Sequence, residues 1–186
     1  MGARFYVIEG PEKSGKSTLS KRLAQELQFE YTYEPQDPGL RERIQELWAK
    51  GQLGSAFDAF AKDRNNHLYQ VVYPALLAGR SVVCDRYYHS MLVCQYLPGA
   101  DLKAWMRSVP SFYREHCQVL EPHKTIVLMP SVKALEARGA GEDGGHQFWV
   151  IERYMYLQAA LGDPSIVTVS GDDPEYVAAM VRGILL

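Results

Sequence analysis

The sequence is sparing with the residues that build cross-links and metal sites. Its 186 residues include three cysteines, Cys84, Cys94 and Cys117. The number is odd and no Cys-x-x-Cys pair occurs, which excludes a disulfide framework and a zinc knuckle and fits a reducing cytoplasm. The five histidines are scattered without metal-ligand spacing and are expected at the surface or as capping groups. No apolar run is long enough to span a membrane. The start, Met1-Gly2-Ala3-Arg4-Phe5-Tyr6, leads straight into an apolar strand with no signal-peptide pattern. Gly2 does not open a myristoylation motif, because Tyr6 stands where Ser or Thr is needed. An excess of one charge is lacking too: a net −2 provides no global field toward a nucleic acid polymer or an anionic membrane. Repeats, low-complexity stretches and linkers are absent, so residues 1–186 are expected to form one domain.

What the chain does contain is an alternation of short apolar runs and longer helical patterns. Strands are predicted at Phe5 to Ile8, Phe29 to Tyr33, Ser81 to Cys84, Lys124 to Met129 and Ser165 to Val169. Helices are predicted from Ser17 to Leu27, Leu40 to Lys50, Ala56 to Leu77 and Tyr88 to Tyr96, with a last one from Pro174 onward. Near-continuous apolar strands separated by helices imply a parallel sheet covered on both faces. The expected class is a three-layer α/β/α fold with a five-stranded parallel sheet.

Between the first strand and the first helix lies Gly10-Pro11-Glu12-Lys13-Ser14-Gly15-Lys16-Ser17-Thr18, which matches G-x-x-x-x-G-K-[ST]. Glycines let the backbone turn so that successive N–H groups face one concavity, and the following helix adds the positive end of its dipole. The pattern predicts a P-loop for the phosphates of ATP, with Lys16 reaching the β- and γ-phosphates and the Ser17 hydroxyl available to Mg²⁺. The third strand runs into Asp85-Arg86-Tyr87. Carboxyl ends of parallel strands face the ligand crevice, which puts Asp85 and Arg86 beside the loop. Asp85 could hold Mg²⁺ through water, and Arg86 could contact a transferring or accepting phosphate.

These motifs together resemble the thymidylate kinases. The likeness is carried by Ile8-Glu9-Gly10 entering the loop, Glu34-Pro35, Phe60-x-x-x-Arg64, Asp85-Arg86-Tyr87-x-x-Ser90 and Arg138-Gly139, in that order over most of the chain. Phe60 and Arg64, four apart, share a helix face that suits a pyrimidine: a ring to stack on and a guanidinium for a carbonyl oxygen. The resemblance implies that this pair holds thymine. Arg86, Ser90 and Cys94 share a second face by the same spacing. Cys94 stands where relatives carry Tyr or Phe, Met91 replaces a polar neighbour of the base, and Glu12 stands where the family has an Asp near the deoxyribose 3′-hydroxyl. Tyr33 occupies the place of a bacterial-type Arg, so a donor to the acceptor phosphate is expected from Arg41 or Arg43.

A nucleoside monophosphate is mostly a dianion at neutral pH, with a second pKa of about 6, and so is already a nucleophile. The reaction then needs cations rather than a general base. Those expected are Mg²⁺, Lys16, Arg86, Lys13 in the loop, and Arg138 at the head of a Gly-rich lid at about 138–146. The resemblance implies a homodimer acting on small-molecule nucleotides. Two other readings stay open. A deoxynucleoside kinase would use Glu34 as general base toward a neutral hydroxyl, and a regulatory module would bind nucleotide without an acceptor.

Overall fold

The computed structural model describes residues 2–90, 120–140 and 162–186. Five strands, β1 (Phe5–Glu9), β2 (Glu30–Tyr33), β3 (Val82–Asp85), β4 (Lys124–Met129) and β5 (Ile166–Ser170), form one sheet in the order β2-β3-β1-β4-β5. Every pairing is parallel, as the unbroken apolar strands require. Alternate side chains of β1 enter different cores. Phe5 and Val7 pack with Val82, Cys84, Leu68, Val72 and Ala75. Tyr6 and Ile8 pack on the opposite side with Leu19, Leu23, Ile126, Leu128, Val177 and Val181. Each such side chain contributes about 1.5–3 kcal/mol on burial, so two faces filled this way hold helices on both and make three layers.

Helices α1 (Lys16–Leu27) and α6 (Pro174–Leu185) cover the second face. The first face is covered by α3 (Leu53–His67) and α4 (Tyr73–Leu77), while α2 (Leu40–Ala49) packs on α3 through Leu40, Ile44 and Ala56. The remaining short helix, α5 (Val132–Ala137), follows β4 and is capped by the Ser131 hydroxyl, which accepts from Ala134 N–H. The single helix expected from Ala56 to Leu77 is instead two α-helices joined by a π-helical turn at Leu68–Val72. Pro74 is the reason. Proline has no N–H for the preceding turn and its ring crowds that carbonyl. The wider turn, in which Tyr73 N–H donates to Leu68 O, lets the rod continue past it. Of the helix expected over Tyr88 to Tyr96, only its first three residues are among those described.

Candidate active site

The carboxyl ends of β1, β2 and β3 meet at one edge of the sheet. Arg86 N–H donates to Ile8 O at 3.0 Å and Glu34 N–H to Asp85 O at 3.1 Å, so the loops leaving all three strands start side by side. From β1 the chain turns at once into Gly10. Its φ of 144°, and a hypothetical Cβ only 2.6 Å from the Leu128 carbonyl oxygen, leave room for glycine alone. Lys13 (φ 60°) and Gly15 (φ 90°) also take left-handed backbone, completing the turn into α1. Lys16 is buried and its Nζ donates to Pro11 O at 2.9 Å, across the loop. Ser14 is buried with its hydroxyl unpartnered, while Ser17 and Thr18 stand exposed on the first turn of α1. The residues from Gly10 to Thr18 thus form the expected cradle at a helix N-terminus.

Arg138 caps the far wall of that cradle. It follows α5 directly, donating from Nη2 to Asp172 O at 3.0 Å and from Nη1 to Lys13 O at 3.4 Å. The Asp172 carboxylate holds the start of α5 by accepting from Ser131 N–H and Oγ, both at 2.6 Å. These contacts, the hydroxyl bond foremost, keep its carboxyl below the usual range. Arg138 and Asp172 line a cavity of about 250 Å³ with Ser14, Gly15, Thr18 and Val169. The rest of the lid segment expected at 138–146, from residue 141, lies outside the described residues.

On the other flank, Arg64 of α3 is buried against Glu34. Its Nε and Nη2 donate to Glu34 Oε2 at 2.9 and 2.8 Å, and its guanidinium carbon lies 5.0 Å from the centre of the Tyr87 ring. Glu34 Oε1 lies 3.0 Å from His67 Nδ1, and His67 Nε2 lies 2.7 Å from Thr32 Oγ1. Burial would raise the Glu34 carboxyl, but Arg64 and the His67 bond outweigh it and hold it below the ordinary carboxylate range. Asp63 accepts the Gln36 and Asp37 N–H groups at 2.9 and 2.8 Å, fixing the turn that starts at Glu34-Pro35. Phe60 is partly buried between two core clusters, one turn before Arg64. Arg43 makes an exposed ion pair with Asp37 at 3.1 Å. Cys94 and Met91 lie outside the described residues.

A third group ties the first two together. Glu9, fully buried, accepts from Tyr87 N–H at 2.8 Å, Ser90 N–H at 3.1 Å and Ser90 Oγ at 2.6 Å. Ser90 Oγ in turn accepts from Arg86 Nη1 at 3.2 Å, so Arg86 is positioned through Ser90 from the end of β1. Arg86 itself has φ 73°. Asp85 is buried at the end of β3 with Oδ1 unpartnered. Glu12 is exposed on the loop.

The residues singled out by motif and spacing gather at this edge where they are described, but the ones behind them carry no such signal. Glu9 was noticed only as part of the motif, although a carboxylate closing a wholly apolar strand is a signal in itself. The histidines are a correction: His67 and His89 are buried, not surface or capping groups. His67 follows Asp63 by four and Arg64 by three, which puts all three on one helix face and could have revealed the cluster.

The parallel sheet, the glycine-shaped loop entering α1 and the arginines around it define a P-loop nucleotide-binding protein of the α/β class. A family model described as thymidylate kinase matches residues 8–160. The thymidylate kinase of Magnetococcus marinus is 30% identical over 97% of this chain and 94% of its own. The probable thymidylate kinase of Pyrococcus abyssi is 37% identical over 60% of each, so the match to that first relative spans about three fifths of its length. Among solved structures, the thymidylate kinase of Ehrlichia chaffeensis superposes with a TM-score of 0.74 at 23% identity, covering 100% of both chains. The chain belongs to the thymidylate kinase family.

Proposed function

We propose that the protein transfers the γ-phosphate of ATP to thymidylate, giving dTDP, as one domain of residues 1–186 acting as a cytoplasmic homodimer. The observation that carries this reading is the pair of cationic compartments on one sheet edge: the P-loop with Lys16 and Arg138, and beside it Arg64, Phe60 and Arg86. The donor's phosphates lie in the cradle from Gly10 to Thr18 and its base in the cavity beside Arg138. The acceptor's base lies on Phe60 within reach of Arg64, Glu34-Pro35 shapes that pocket, Glu12 faces the sugar, and Arg86, with Ser90 beside it, meets the acceptor phosphate. Cys94 is assigned to the acceptor by the resemblance alone, since it lies outside the described residues.

Mg²⁺ fits the residues present. Asp85 brings a buried, unpartnered carboxylate oxygen to the strand end, and Ser17 an exposed hydroxyl on the first turn of α1. No cluster of three acidic, His or Cys groups among the described residues offers a rival metal cage. A site with few protein ligands suits Mg²⁺, which keeps waters and substrate oxygens in its shell. When bound, the ion would supply positive charge to the donor's phosphates. Lys16 and Lys13 neutralise the same oxygens, Arg138 closes the donor side, and Arg86 holds the incoming dianion in line, so transfer proceeds by positioning and electrostatics.

Glu34 argues against the deoxynucleoside kinase reading. Both its oxygens are engaged, and its depressed carboxyl is a poorer proton acceptor than an ordinary one. Among the described residues, no helix is long and apolar enough to cross a membrane. Exposed Tyr69 and Leu77 on the α3–α4 rod offer apolar surface to a second subunit. The test is ADP release from ATP with each of the four deoxynucleoside monophosphates and the four deoxynucleosides. Turnover is expected with monophosphates, thymidylate first. Turnover with nucleosides instead, or none with any acceptor, overturns the proposal.

A further inference from the structure

We infer that His67 is a positioning residue for the acceptor site, setting the pose of Arg64 through Glu34; the inference rests on Arg64 contacting the acceptor base. Its basis is a relay of polar groups, buried at His67, Thr32 and Glu34, whose donors and acceptors match along its length. An ionised Glu34 can only accept, so His67 Nδ1, 3.0 Å from Oε1, carries the hydrogen and donates it. With the hydrogen on Nδ1 alone, Nε2 accepts, and the Thr32 hydroxyl 2.7 Å away donates to it. Thr32 Oγ1 is left to accept from Gln36 Nε2 at 3.2 Å. The chain of donors runs from Gln36 through Thr32 and His67 to one oxygen of Glu34, and Arg64 meets the other with Nε and Nη2.

Without His67, Oε1 would lose a partner inside a site where the Glu34 side chain is 6% exposed. The carboxylate would turn to recover one, carrying the guanidinium with it, because a planar fork follows the oxygen it grips. The π-helical turn begins at Leu68, the residue after His67, so the α3 face that bears Asp63, Arg64 and His67 ends where the helix changes register. All three of those residues bind the Glu34–Asp37 turn. Widened turns of this kind are frequently found at functional sites.

The experiment measures steady-state KM for thymidylate and for ATP in wild type, Arg64→Lys, His67→Ala, His67→Asn and His67→Gln. Arg64→Lys keeps a cation for Glu34 and loses the fork. KM is insensitive to the fraction of enzyme folded, so a merely structural loss would lower apparent kcat and leave KM alone. His67→Ala is expected to raise the thymidylate KM about tenfold, the range of a coupled neighbour, with ATP KM within twofold. His67→Asn, whose amide nitrogen sits where Nδ1 was, should recover most of the loss, and His67→Gln should not. In the Arg64→Lys background, His67→Ala should add less than twofold. If Arg64→Lys leaves the thymidylate KM unchanged, the placement of the base fails. If it raises KM while His67→Ala does not, or Gln rescues better than Asn, the role of His67 fails. Should His67→Ala not fold, the Asn and Gln pair decides alone.

Discussion

Glu9 offers the sharpest check of how this edge of the sheet is held. Its carboxylate is fully buried and gathers Tyr87 N–H, Ser90 N–H and Ser90 Oγ. Hydrogen bonds to a charged acceptor contribute about 1.5–3 kcal/mol each. The Ser90 N–H is shared with Tyr87 O at 3.1 Å, so it keeps a partner if Glu9 is removed. Glu9→Leu therefore takes the carboxylate acceptor from one buried N–H and from the Ser90 O–H, a loss of about 3–6 kcal/mol offset in part by no longer burying a charge. A net cost of about 3 kcal/mol is expected. Glu9→Gln keeps an oxygen for the two N–H groups, as neutral bonds roughly half as strong, and sets an NH₂ against Ser90 Oγ. That oxygen can accept from both the NH₂ and Arg86, but its own O–H then loses its acceptor and the two donors crowd one oxygen. About 1–2 kcal/mol should be lost and Arg86 displaced, so kcat falls in a protein still folded. Urea unfolding gives the stabilities, and coupled ADP release gives kcat. Two variants within about 0.5 kcal/mol of wild type, or Gln costlier than Leu, would refute the reasoning.

Two further predictions follow from particular atoms. Gly10→Ala should cost about 2–5 kcal/mol, strain at positive φ plus overpacking against the Leu128 carbonyl, whereas Gly15→Ala, with nothing within 4 Å of its Cβ, should cost about 1–3; urea midpoints that rank them the other way would contradict the close approach of loop and β4. His89 is buried with Nδ1 unpartnered, and burial, aided by Arg64 and opposed by Asp163, lowers its pKa to about 3. The unfolded chain then binds the proton that the native state refuses between pH 6.5 and 3, so stability falls as pH falls through that window. From pH 7 to 5 the His89 share is about 2 kcal/mol. His89→Phe should remove that much of the slope in parallel urea series at the two pH values, and an unchanged slope would show that the imidazole is accessible when folded.

The sheet was legible because its strands are buried on both faces and therefore read as continuous apolar runs. Each strand begins and ends within a residue of its predicted place: Lys124–Met129 agrees in full, and β3 runs one residue later, Val82–Asp85 against the expected Ser81 to Cys84. The loop was legible because its chemistry demands glycine at positions that can be counted. What could not be read was the layer behind the arginines. Glu34 and Arg64 are thirty residues apart, and Glu9 and Ser90 eighty-one, so no spacing rule connects them. Periodicity placed Arg64 on the right face, but only the tertiary fold shows that this face carries a carboxylate brought by β2. The π-helical turn was equally hidden, because apolar residues on both sides of Pro74 keep helical spacing while the backbone adds a residue between them.

The two flanks of this edge hold their cations differently. Arg64 grips the carboxylate of Glu34, and Arg86 reaches that of Glu9 through the Ser90 hydroxyl. Lys16 and Arg138 instead donate to carbonyl oxygens of Pro11, Lys13 and Asp172. A carboxylate fixes an arginine in direction but cancels much of its field; a carbonyl orients a cation and leaves its charge in place. On the function proposed above, the donor side must attract and neutralise a triphosphate, and there carbonyl oxygens orient Arg138 while the nearby Asp172 carboxylate takes part of its field. On the same reading the acceptor side must tell one base from another, and a guanidinium locked in pose does that better than a mobile one, since a misplaced ring leaves its buried donors unpaired. On the function proposed above, Glu34 and Glu9 belong to the anion site: they exchange attraction for geometry on the flank where geometry decides.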